Sequence, residues 1–256
     1  MISELSRSFL SGMSSRARQA VAMLAAVAIL CAVTRAQTPE KTPAHSRAHA
    51  ASASDPADAA APAKAMGNKS APITMEIFSD YQCPSCGQFF RTTLRPIISE
   101  YIAGGKVYLV HHDFPLQKHA YSGQAARWAN AAAKIGKFQE VDAALFDSQD
   151  KWTADGDIGK FVAEAMSPAD FKRVQAILKP CTGTPPTAKV DGSVPQVDHA
   201  CAVDGYIAQD IALGYQLPVT GTPTFVIHYK GKSYPGNSGP VNWPILKQFF
   251  DTLLSQ

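Results

Sequence analysis

Cysteines at positions 83 and 86 enclose a proline and a serine, and this Cys83-Pro84-Ser85-Cys86 stretch separates two segments of different periodicity. Before it, Ile73-Thr74-Met75-Glu76-Ile77-Phe78 is a short apolar, β-branched run bounded by Pro72 and Ser79-Asp80, which predicts a strand. After it, residues 87–103 predict a helix, with Pro96 placed to kink it and Gly104-Gly105 to end it. A sulfur at the start of that helix faces unpaired N–H groups and the positive end of the helix dipole. Both favour thiolate over thiol, and the thiolate is the attacking species in sulfur exchange. Two thiols at this spacing close into a small disulfide ring or open to a dithiol.

A C-x-x-C pair is also half of many structural zinc sites, which commonly use two such pairs. The remaining cysteines beyond the N-terminal segment, Cys181 and Cys201, are twenty positions apart and form no second knuckle. A pair that opens a helix directly after a strand is the redox arrangement.

The pattern on either side builds an α/β chain. Lys106–His112 (KVYLVHH) predicts a second strand, so strand, helix and strand form a parallel βαβ unit. Helices are predicted over His119 to about Gly136, Lys137–Gln149, and from Ser167 to about Leu178, where Ser167-Pro168-Ala169-Asp170 is a capping sequence and Pro180 a stop. Residues 182–195 carry Gly and Pro at turn frequency, and a further helix covers roughly His199 to Leu213. Thr224–Tyr229 is a strand, Gly231 permits a tight turn, and a short strand lies around Ser233-Tyr234. Asn242 is positioned to cap a last helix whose buried face is Trp243, Leu246, Phe249, Phe250 and Leu253.

The N-terminal part has different composition. Arg16 and Arg18 precede an uncharged run from Ala20 to Val33, and Thr34-Arg35-Ala36 resembles a small-residue cleavage site, so residues 1–36 read as an export signal. The run is shorter than the ~20 residues of a membrane-spanning helix. The alternative is an uncleaved N-terminal membrane anchor. Lipidation of Cys31 is rejected because bulky Leu30 precedes it. Residues 37–70, rich in Ala, Pro, Ser and His, are expected to be a disordered tether, with too little apolar surface to offset ordering entropy. His45 and His49 in it are too isolated for a metal site. Beyond residue 36, basic and acidic residues balance at 20 each, so no basic surface points to nucleic acid. Four cysteines remain there, an even number that suits two disulfides in an oxidising, periplasmic or otherwise extracytoplasmic compartment.

Three ordered motifs carry a family resemblance. Phe78-Ser79-Asp80-Tyr81-Gln82-Cys83-Pro84-Ser85-Cys86 is similar to the active-site segment of the DsbA-like, thioredoxin-fold disulfide oxidoreductases. Asp113-Phe114-Pro115-Leu116 followed by His119 resembles that family's passage into a helical insertion. Val219-Thr220-Gly221-Thr222-Pro223-Thr224-Phe225 resembles its cis-proline loop. The resemblance spans residues 71–256 and implies a thioredoxin fold (βαβ…ββα) interrupted by helices over about residues 117–217. It implies Cys83 as solvent-facing nucleophile, Cys86 as sheltered resolving thiol, and Thr222 and Pro223 as the loop that meets an extended substrate. It also implies thiol-bearing exported polypeptides as substrates, a membrane redox partner that resets the pair, and no bound cofactor.

One position departs from the family. A buried carboxylate often stands six residues before the first cysteine, where this chain has Ile77; the neighbouring Glu76 is expected on the opposite strand face unless a bulge intervenes. Ser85, in place of a histidine, offers only a hydroxyl, which predicts a milder oxidant than a His-containing relative. Cys181 and Cys201 are expected to close the Gly/Pro-rich loop as a structural disulfide worth roughly 3 kcal/mol; the alternative is a second redox pair exchanging with Cys83. His111, His112 and His119 read as hydrogen-bonded structural residues, and Tyr81, Phe114 and Trp128 as core or groove lining. The function expected is disulfide exchange as an oxidase. An isomerase or reductase, or a peptide-binding chaperone with secondary redox activity, are the alternatives.

Overall fold

The computed structural model describes residues 64–256 apart from Asp198 and Asn237. The expected export signal, Cys31, His45 and His49 lie outside the described residues. Five strands form one sheet: β1 (Ala65–Met66), β2 (Ile73–Ser79), β3 (Val107–Asp113), β4 (Thr224–Tyr229) and β5 (Lys232–Pro235). Their order is β1-β3-β2-β4-β5. β2 and β3 run parallel, and the other neighbours are antiparallel. Lys230 and Gly231, both with positive φ (47° and 75°), make the two-residue turn between β4 and β5, a geometry matched to strand twist.

The tether expected to reach residue 70 ends earlier. Lys64 is buried, with its ammonium paired to Asp113 and to Asp210 at 2.5 Å, and Ala65–Met66 pairs with Leu109–Val110. Two carboxylates supplied by distant parts of the chain order this segment, and nothing in its own composition announces them.

The first crossover helix runs from α1 (Pro84–Phe89) through a π-helical turn (Phe90–Leu94), α2 (Arg95–Ile97) and a second π turn (Ile98–Ile102). Pro96 lacks an N–H and crowds the preceding turn. The chain absorbs it by widening the helix on either side. The apolar face of this helix meets the last helix, α9 (Trp243–Leu254), where Tyr101 lies 5.2 Å from Phe250 and 5.7 Å from Trp243. Asn242 stands at the N-cap of α9 but makes no capping bond with its side chain.

Six helices fill the span between β3 and β4: α3 (Ser122–Ala133), α4 (Phe138–Asp147), α5 (Gln149–Asp155), α6 (Ile158–Glu164), α7 (Pro168–Leu178) and α8 (Ala202–Gln216). The helix expected over Lys137–Gln149 is α4, which ends at Asp147; α5 and α6 have no counterpart in the sequence reading. Ser167 caps α7 by accepting from Asp170 N at 3.1 Å. Alanines on α3 allow close helix packing, and Trp152 is fully buried, donating to Leu145 O at 2.7 Å.

Strand alternation divides the core. Ile73, Met75 and Ile77 join the larger cluster, which also holds Cys83, Cys86, Phe89 and Phe250. Phe78 faces the other way, into a smaller cluster with Phe114, Ile207, Ile211 and Val219 beneath α8.

Candidate active site

The strand–turn–helix geometry places both cysteines where the sequence pattern predicts. Cys83 is the N-cap of α1 with extended backbone, Pro84 opens the first turn, and Cys83 O accepts from Cys86 N (3.0 Å) and Gly87 N (3.1 Å). Both cysteines are thiols; Cys83 retains 7% exposure and Cys86 only 1%. Across from them the Thr222–Pro223 peptide is cis, and the Cys83 thiol donates to Thr222 O at 3.5 Å. Proline brings no N–H to this approach. The buried Thr222 hydroxyl lies beside the sulfur.

The two thiols differ in acidity. Cys83 is lowered to about 5: the Cys86 thiol donates to its thiolate, outweighing the cost of burial, and the Thr222 hydroxyl and the Cys86 backbone N–H add to it. Cys86 is pushed well above the ordinary thiol range, first by burial and then by the negative sulfur next to it; the Ser79 hydroxyl and Asp80 N–H oppose this only in part. One sulfur is poised to attack or leave as a thiolate, and its partner holds the proton.

Residues the motif reading passed over hold this turn in place. The buried Asp80 carboxylate accepts from Gln82 N (2.8 Å), Leu116 N (2.8 Å), His119 Nδ1 (2.7 Å) and the Ser122 hydroxyl. Gln82 Oε1 accepts from Tyr121 N at 2.7 Å. The active-site turn is thus stitched to the entry of the helical insertion. Hydrogen bonding to Asp80 raises the His119 pKa and so favours its charged form, against the opposing effect of burial. Gln149, at the start of α5, donates to Tyr81 O (2.6 Å) and Cys83 O (2.9 Å). A β-carbon at residue 87 would lie 2.2 Å from Gln149 Oε1, so glycine there admits the brace. Asp80 bonding the N–H two residues on is a local turn signal that the sequence offers. Gln149, 66 residues from Cys83, offers none.

Glu76 stands apart from the thiols. The β2–β3 and β2–β4 registers run without interruption past it, so no bulge turns its side chain. Its carboxylate meets His112 (3.1 Å) and His228 (3.2 Å) on the face opposite Ile77 and is lowered by the bond to His112. His112, despite burial, is raised to about 9 by Asp210 and Glu76. His111 stacks on Tyr81 near Asp113 and Asp142, and Tyr81 donates to Asp142 at 3.0 Å. Burial lifts Asp142 to about 6. None of these histidines joins a metal-binding cluster among the described residues. Phe114 is core, and Trp128 stacks on Phe171 at 5.7 Å.

Cys181 and Cys201 are joined, with Cα atoms 4.6 Å apart. Buried Arg127 braces both flanks of that bridge. It makes a two-pronged pair with Asp204 (2.7 and 2.6 Å) and donates to Gly183 O (2.8 Å) and Cys181 O (3.4 Å).

Comparison with known proteins agrees with this geometry. Residues 60–243 match the thioredoxin family. Among curated relatives, Na(+)/H(+) antiporter NhaA 3 of Salinispora tropica is 28% identical over 184 residues, 72% of this chain but 24% of that protein. NhaA 1 of Mycobacterium sp. (strain KMS) is 35% identical over 85 residues, 33% of this chain and 13% of that one. The chain therefore spans a quarter or less of the length of these relatives. Among the described residues no helix is long and apolar enough to cross a membrane. Two solved structures share the fold. Wolbachia pipientis alpha-DsbA1 has a TM-score of 0.57 at 21% identity, covering 75% of this chain and 91% of that one. BdbD from Bacillus subtilis, oxidised, has 0.56 at 18%, covering 76% and 94%. With the family match over most of its length and the helical insertion seated between β3 and β4, this chain belongs to the thioredoxin family and has its DsbA-like fold.

Proposed function

We propose that this protein is an exported thiol–disulfide oxidoreductase that works as an oxidase through Cys83 and Cys86. The observation that carries the reading is the split in acidity: Cys83 at about 5 and Cys86 far above it, on one helix turn facing the cis Thr222–Pro223 loop. A stabilised Cys83 thiolate favours the dithiol state, and a pair whose dithiol is favoured takes electrons from its substrates. In the disulfide form, a substrate thiolate attacks Cys83. The Cys83–Cys86 bond breaks, a substrate–Cys83 disulfide forms, and Cys86 leaves and takes up a proton. A second substrate thiolate then attacks the substrate sulfur. It closes the substrate disulfide and releases the Cys83 thiolate, so two electrons have passed to the pair. A membrane redox partner outside this chain removes them.

Mixing the disulfide form with a reduced polypeptide of known pairing tests the reading. One substrate disulfide is expected per protein consumed, with Cys83→Ser and Cys86→Ser both inactive because neither forms the Cys83–Cys86 bond. Offered instead a polypeptide that carries a disulfide, the Cys83 thiolate of Cys86→Ser attacks it, releases one substrate thiolate and stays trapped as a mixed disulfide. Absence of exchange with both the polypeptide and glutathione at pH 7 refutes it.

A further inference from the structure

Between the insertion and the cis-proline loop lies a groove of about 690 Å³, lined by Phe114, Leu116, Val190, Tyr215, Pro218 and Val219, with Lys118 and Lys189 on its lips. Its walls are fixed. Leu116 bridges Ala188, and Ala188 N donates to Pro115 O at 2.6 Å. The Tyr215 hydroxyl accepts from Lys189 N (2.6 Å) and donates to Lys189 O (2.9 Å), pinning the outer loop to α8. Phe114 meets Tyr215 edge-on at 5.6 Å in the floor. Glycine at 214 is required there, since a β-carbon would come within 2.5 Å of the Phe114 ring. On this braced loop Val190 is wholly exposed, and Leu217 beside the groove is 38% exposed.

Three observations select an occupant. One wall, Pro218–Thr220, continues within two residues into Thr222, whose carbonyl lies 3.5 Å from Cys83 Sγ. An extended chain with its cysteine at Cys83 reaches the groove within a few residues, at ~3.3 Å each. The lips carry two lysines, and the neighbouring Asp191 carboxylate accepts from Ser193 N (2.9 Å) and Ser193 Oγ (2.7 Å). Residues 37–63 of this chain contain no Val, Leu, Ile, Met, Phe, Tyr or Trp with which to fill an apolar floor.

Resting on the disulfide-exchange reading, we infer that the groove seats the segment of a reduced polypeptide substrate next to its reacting cysteine, selecting a large aliphatic side chain adjoining a carboxylate. The aliphatic group covers Leu116 and Val190, and the carboxylate meets Lys118 and Lys189. Selectivity is read in the step already described, in which the substrate thiolate attacks Cys83 and Cys86 leaves.

The test uses the full chain in its disulfide form and cysteine peptides carrying Leu-Glu, or Ser-Lys, two to three residues before or after the thiol. Burying one leucine predicts that the better Leu-Glu peptide reacts roughly tenfold faster than its Ser-Lys counterpart. In the surface double variant Val190→Asp, Lys118→Glu the ratio falls to about twofold or less, while the rate with dithiothreitol stays unchanged. Equal rates for the two peptides in the unaltered protein, or a ratio that survives in the variant, overturn the inference and leave disulfide exchange standing. Failure to oxidise any peptide or dithiothreitol overturns both. Self-association abolished by Val190→Asp assigns the groove to a second copy and also overturns the inference.

Discussion

Replacing Gln149 by alanine removes both amide protons that hold the backbone around the first cysteine. Cys83 O keeps its two donors from α1, Cys86 N and Gly87 N, but Tyr81 O keeps no other donor among the described residues. An orphaned buried carbonyl costs about 1–3 kcal/mol, and the lost packing against Gly87 adds about 1 kcal/mol. The dithiol form is therefore expected to lose about 2–4 kcal/mol in urea unfolding at pH 7. The loosened turn lets Cys83 drift from the N–H groups of α1, so its thiolate titration moves upward. Gln149→Glu separates the brace from simple size. A carboxylate has no proton for either carbonyl, so this variant loses more than alanine at pH 7 and recovers as acid protonates it. A Gln149→Ala protein within 0.5 kcal/mol of the parent, with its Cys83 titration unmoved, refutes the bracing argument.

The thiolate absorbance of the dithiol form is expected to titrate near pH 5. Because the folded pKa lies below the unfolded value of ~8.5, the stabilisation is complete above ~8.5 and is lost as pH falls through about 5; at pH 7 it is about 3 kcal/mol. The stability difference between dithiol and disulfide forms should therefore grow across this window, and a flat difference contradicts it. Arg127→Ala leaves Asp204 buried and unpaired, and a loss of about 3–5 kcal/mol is expected in chemical denaturation. Cys181→Ser with Cys201→Ser should cost about 3 kcal/mol and leave the Cys83 titration and exchange rate unchanged; slowed exchange would instead assign that bridge a redox part.

What the sequence made legible was local. Strand β2, the capped α7, the β4–β5 turn and the thiol pair at the start of a helix are each specified by adjacent residues, and each stands where its pattern predicts. The displacement of the acid from Ile77 to Glu76 was legible too, because strand alternation alone decides which face a side chain takes. The failures are those of distance. Lys64 is ordered by Asp113 and Asp210, so its segment reads as tether until both partners are in view. Gln149 looks like the end of one helix, whereas it begins another and reaches the active-site turn. Asp80 falls between: its turn is encoded locally, but its bonds to Leu116, His119 and Ser122 depend on the insertion returning over the sheet.

An acidic Cys83 beside a strongly basic Cys86 should make an oxidising pair, and the equilibrium potential of that pair against glutathione measures this. Thiols near 7 and near 3.5 accompany potentials of about −270 mV in thioredoxin and −120 mV in DsbA. A Cys83 at about 5 falls between them, which predicts a value of about −180 mV, milder than a His-containing pair. A value of about −250 mV or lower would contradict the account and make the protein a reductant.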